Sequence, residues 1–217
     1  MKIEKSINDY LKFRGPNDRY SSFDYCYNYF DSFYKKGAIK EIADPGNLYF
    51  SCLQIGFFLA SWGMLRGSSF LLSKSVKHYE DLIYLISQSS EEQIWNIDVD
   101  NYNDQTFDIL LDYGNKIAEA LSSGAEENVT DTQKTKIMLG IFGNVPALDT
   151  YNKKAFGVSS FNRNGLKKIK KYYDENKEKI DSIKIYTIDY HTEEKTNRLY
   201  TKAKLLDMIG FIEGQKI

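Results

Sequence analysis

Residues 46–65 read GNLYFSCLQIGFFLASWGML, and from Pro45 to Leu65 no side chain is charged. A bilayer crossing needs about 20 apolar residues, so length alone permits a membrane span. The details argue otherwise. Ser51, Gln54 and Ser61 are polar, Gly56 and Gly63 interrupt the run, and the flanks lack paired basic anchors. The stretch reads as a buried central helix. Gly56, Ala60 and Gly63 recur at three- and four-residue spacing, which lets a second helix approach closely. Trp62 is expected to be buried with it.

Outward from this helix the apolar period is helical almost everywhere. Helices are expected over residues 3–13, 22–35, 76–86, 91–97 and 104–121. Thr130-x-x-Gln133 matches a capping box and starts a helix reaching about Phe142, where Gly143-Asn144 stops it. Pro146 suits the first turn of the next helix, which should end near Gly157. Asn164 or Ser160 should cap a long helix through about Ile180. Residues 183–190 are the one β-like stretch, forming half of a small hairpin with Arg198–Tyr200. Residues 202–212 close as a helix. The class is mostly α, a compact multi-helix domain with at most a small β-hairpin near 183–200. SSGAEEN from Ser122 is the best loop, dividing an acidic lobe, 1–124, from a basic lobe, 125–217.

The chain has 217 residues, enough to bury roughly 70% of its unfolded surface without disulfides or metal. Cys26 and Cys52 sit in helical patterns without C-x-x-C spacing and read as reduced core thiols, which suits a cytoplasmic protein. MKIEKSINDYLKF, at the start, has no apolar run of signal-peptide length. Net charge is −1, but residues 1–150 hold 14 Lys and Arg against 21 Asp and Glu, and residues 151–217 hold 15 against 9. Between Asp149 and Asp174 lie seven basic residues and no acid: Lys153, Lys154, Arg163, Lys167, Lys168, Lys170 and Lys171. Such a cluster suits a phosphate backbone, because each contact releases a condensed counterion. It equally suits a solvated helix face.

Most catalytic motifs are missing. His78 and His191 are the only histidines, RGSSF is not a nucleophile elbow, and two Cys and two His lie too far apart for zinc. DVDNYND from Asp98 fails as a calcium loop, because Tyr102 holds a ligand position and the turn glycine is absent. No cofactor or metal is implied.

The segment TQKTKIMLGIFGNVPALDTYNKKAF, residues 132–156, has a shape: a capped helix, a tight turn, and a second helix with Asp149 near its start. Free amides there favour an ionised carboxylate, while Lys134 and Lys136 can supply amines one helix back. FGNVPALDT, followed by basic residues, resembles the segment that carries the catalytic aspartate of helix-hairpin-helix DNA glycosylases. The resemblance spans residues 132–156 and implies that Asp149 assists base excision and that Lys134, before Thr135, is the counterpart of the Schiff-base lysine. The glycine-rich hairpin turn of that family is replaced here by NVTDTQ, residues 128–133, and the Lys–Asp spacing is shorter.

Two functional readings follow. In one, a DNA-acting enzyme flips a base into a cleft. Asp149 and Lys134 act at the sugar, Lys153, Lys154, Arg163, Lys167, Lys168 and Lys171 hold phosphates, and Trp62 and tyrosines stack on the base. In the other, the chain is a cytoplasmic interaction module for protein or nucleic acid, and its acidic and basic surfaces pair in a homo-oligomer. They diverge on whether Asp149 lines an open pocket or is only a helix cap.

Overall fold

The structure is a computed structural model and describes residues 2–89, 93–122 and 128–217. Among the described residues it holds ten α-helices and one two-stranded sheet. The helices are α1 (Ile3–Leu11), α2 (Ser21–Lys35), α3 (Leu48–Ser61), α4 (Glu80–Ser87), α5 (Asp104–Leu121), α6 (Asp131–Phe142), α7 (Thr150–Phe156), α8 (Arg163–Glu175), α9 (Lys177–Ser182) and α10 (Lys202–Gly214). Strands β1 (Tyr186–Ile188) and β2 (Lys195–Leu199) pair antiparallel, Tyr186 opposite Leu199. The mostly helical reading and the small hairpin therefore hold. No helix is long and apolar enough to cross a membrane among the described residues.

The acidic and basic halves of the chain pack on each other: α1 lies on α10, α2 and α3 on α6, and α5 on α8. One apolar core runs through all of them, from Ile3 to Ile212. Residues 123–127 of the expected inter-lobe loop, and residues 91 and 92 of an expected helix, lie outside the described residues.

Helix α3 is central on one side only. Cys52, Ile55, Phe58 and Leu59 are buried, and Phe58 lies so close to Gly140 of α6 that a Cβ there would sit 2.5 Å from its ring. The opposite side carries Tyr49, Phe50 and Phe57, each more than half exposed. The expectation of a buried central helix holds for one side and is corrected on this face, which no described segment covers. The helix also stops short of Leu65. Gly63 takes φ +75°, its amide donates to Ala60 O, and the Met64 amide donates to Leu59 O, a glycine-dependent stop. Trp62, at that stop, is buried as expected, and its indole N–H donates to Ser22 Oγ at 3.0 Å.

Caps decide three other boundaries. Thr130 and Gln133 form the expected box at the start of α6. Pro146 opens no helix. Residues 144–148 form an irregular, buried crossing, with the Leu148 amide donating to Thr135 Oγ1 and that of Ala147 to Asp207 Oδ1, and α7 starts only at Thr150. The long helix expected to Ile180 is broken at Asn176 into α8 and α9. Its cap is neither Ser160 nor Asn164 but Asn162, whose Oδ1 accepts from the Gly165 amide at 2.9 Å. Asn162→Ala should cost about 1 kcal/mol. Thermal denaturation should show a melting temperature lowered by roughly 2–4 °C, and an unchanged one would make the cap dispensable.

Candidate active site

Helix α6 sets Thr132 and Lys136 one turn apart on the same face. Thr132 Oγ1 donates to Leu148 O at 2.9 Å, and Thr135 Oγ1 receives the Leu148 amide at 2.8 Å. These two threonines pin the crossing segment against α6. From the other side Asp207 of α10 accepts from the Ala147 amide and from Asn152 Nδ2. Asp149, between those anchors, is thereby fixed beside Lys136.

A cavity of about 410 Å³ opens there, within the range of small-molecule sites. Lys136, Asp149, Trp62, Tyr20, Tyr151 and Phe211 are among its lining residues. Tyr20 and Tyr151 each meet Phe211 edge-on, with centroids 5.7 and 5.3 Å away, and Tyr20 stacks on Tyr10 at 4.5 Å. The wall is therefore aromatic, braced by rings from α1, α7 and α10.

Asp149 is both a cap and a lining residue. Its Oδ1 accepts from the Tyr151 and Asn152 amides, each at 3.0 Å, opening α7. Oδ2 has no hydrogen-bond partner among the described residues. Burial raises its pKa above the usual carboxylate value and nearby Asp207 adds to this, against the two amides and Lys136. Lys136 is only 4% exposed. Its Nζ donates to Trp62 O at 2.5 Å. Burial lowers its pKa from 10.5 to about 8, with Arg19 and Arg66 pushing the same way and Asp149 and Asp207 opposing. An amine so placed is partly neutral near neutral pH, which an exposed lysine is not.

The structure does not bring Lys134 to this cavity. Two residues from Lys136 on the same helix, it is turned about 200° away, and its Nζ pairs with Asp131 at 2.9 Å. The basic run is also largely neutralised within the chain. Arg163 pairs with Asp104 and Asp108, Lys167 lies 3.7 Å from Asp104, Lys170 pairs with Asp174, and Lys171 lies 3.7 Å from Glu175. Lys168 donates to Gly157 O at 2.5 Å. Lys153 and Lys154, in the last turn of α7, make no ion pair among the described residues, though the charge of Lys153 helps to hold down the pKa of Asp131. Among the described residues no three His, Cys, Asp or Glu side chains are grouped to hold a metal ion. Cys26 and Cys52 are separate buried thiols.

Comparison with protein-family models, with curated proteins and with solved structures finds no match.

Proposed function

We propose that this chain is a DNA-acting enzyme that excises a base, with Lys136 as the amine and Asp149 as the carboxylate. The observation that carries this reading is that an amine with a lowered pKa and a carboxylate with a free oxygen line one aromatic-walled cavity. A flipped base enters the cavity against its aromatic wall, which includes Tyr20, Tyr151 and Phe211. The neutral Lys136 amine attacks C1′ of the sugar. The N–C1′ bond forms, the pair of the glycosidic bond leaves with the base, and the base takes up a proton. Asp149 offsets the positive charge building on the sugar and accepts the amine proton. Asp149 then returns that proton to O4′ as the C1′–O4′ bond breaks, and opening of the sugar ring leaves a protonated imine on Lys136. Lys153 and Lys154, which make no ion pair among the described residues, are the part of the basic run assigned to phosphate.

Incubation with duplexes carrying a panel of damaged bases tests this. Base release is expected for at least one lesion, and Asp149→Asn should slow it roughly 10²–10⁴-fold. A protein that releases no base and forms no reducible adduct with an abasic site would refute the reading.

A further inference from the structure

Three cations line the mouth and wall of the cavity: Lys136, Arg19 and Arg66. Asp149 is the one acid among the lining residues. Arg19 comes from the connection between α1 and α2. Its Nε donates to Ser61 O, which holds the stem, and its guanidinium carbon lies 5.9 Å from the Tyr20 ring centroid. Arg66 comes from the segment after α3. Gly63 takes a left-handed turn just beneath it, and a Cβ at Gly63 would sit 3.1 Å from Arg66 Nε. Both arginines are exposed. Neither makes an ion pair with a carboxylate among the described residues, in contrast to Arg163, Lys167, Lys170 and Lys171 on α8. Arg19 also lines a second cavity, of about 800 Å³, between α2, α3 and the hairpin turn, so it stands on the divide between the two openings.

Two unpaired guanidinium groups beside a buried amine leave the opening positively charged, with forked donors facing solvent. A neutral ligand leaves their charge uncompensated. A phosphate compensates it, through short charge-assisted hydrogen bonds. We infer that Arg19 and Arg66 form a phosphate clamp at the mouth of the Lys136–Asp149 cavity, holding a phosphate of the nucleotide whose base and sugar enter it. This inference rests on the excision reading for the identity of the reacting group, but the clamp itself needs only a phosphate monoester or diester beside a nucleoside. It moves the main phosphate contact away from α8, where the charges are already paired, to two loops beside the reacting centre.

Binding of a duplex with a single tetrahydrofuran site tests the clamp, because that probe has no aldehyde and cannot react. Arg19→Gln and Arg66→Gln should each weaken binding roughly tenfold to a hundredfold. Each should also make the slope of log affinity against log salt shallower by about 1. Arg19→Lys and Arg66→Lys keep the charge but lose the fork and should fall between wild type and the Gln variants. Unchanged melting temperatures would confirm that the variants fold. Titration with a nucleoside 5′-monophosphate distinguishes the source of the phosphate. Arginine-dependent binding of the monophosphate without binding of the duplex keeps the clamp and assigns it to a free nucleotide. Wild-type affinity and slope in both Gln variants would overturn the clamp, as would a wild-type protein that binds neither probe. Reductive trapping on an abasic site separates the two ideas: trapping with arginine-independent binding defeats the clamp alone, whereas arginine-dependent binding without trapping defeats the excision reading alone.

Discussion

Lys136→Gln is expected to lower borohydride trapping of the protein on an abasic-site duplex roughly 10³-fold or more, because the reacting nitrogen is removed and no water can form the reducible imine. Gln keeps an N–H donor at a position where Lys136 Nζ now donates to Trp62 O, so the fold should tolerate the change. The pH profile supplies a second signature. The amine is half neutral at about 8, so trapping should rise about tenfold per unit below that pH and flatten above it, whereas an ordinary lysine would keep rising towards about 10.4. Stability carries the matching sign. Between about 8 and 10.5 the folded protein binds fewer protons at this site than the unfolded chain, so stability should rise with pH across that interval. The rise should be missing from Lys136→Gln. Trapping that survives in Lys136→Gln and disappears in Lys134→Gln would hand the role to Lys134.

The resemblance and the caps pointed to residues 132–156, and the structure places Lys136, not Lys134, in the cavity that Asp149 lines. Thr130–Gln133, the FGN turn and the position of Asp149 at a helix start are local features, and local hydrogen bonding decides them. Lys134 and Lys136 sit on the same helix, on either side of Thr135. Which one faces Asp149 depends on how the crossing segment lies on α6, and that is fixed by Thr132, Thr135 and distant Asp207. The spacing of Thr132 and Lys136 was the available signal, since residues four apart share a face. Arg19, Tyr20 and Arg66 had no such signal. They reach the cavity from two loops far apart in sequence, and only the packing of α1 and α3 against α6 and α10 brings them together. The run of basic residues was plain in the sequence, but Asp104 and Asp108, which pair with its Arg163, belong to another helix. The Lys204–Asp207 pair was hidden for a different reason: charges three apart on a helix usually mark a solvated face, yet Leu205, Leu206, Met208 and Ile209 around them are all buried.

Lys204→Met should destabilise the protein by about 3–5 kcal/mol, the usual result of removing one partner from a buried ion pair. Lys204 is fully buried, and its Nζ donates to Tyr10 Oη and Asp207 Oδ2, each at 2.9 Å. The rings of Tyr10, Phe23 and Trp62 surround the ammonium, with centroids 4.4 to 4.7 Å away. Met keeps the length and apolar contact but leaves the Asp207 carboxylate with only the Ala147 amide and Asn152 Nδ2. For a chain of this size the loss should lower the melting temperature by roughly 6–20 °C. Lys204→Met combined with Asp207→Asn removes the stranded charge and should recover a large part of it, so the coupling in a double-mutant cycle is the quantity to measure. The pair also bears on the cavity. Asp207 anchors the residues on either side of Asp149, and Lys204 lies against Trp62, whose carbonyl receives Lys136. The double variant should therefore trap abasic sites more weakly than wild type even at temperatures where it is fully folded. If Lys204→Met melts with the wild type, the pair does not hold the core. If the folded double variant traps at the wild-type rate, Asp207 does not position Asp149.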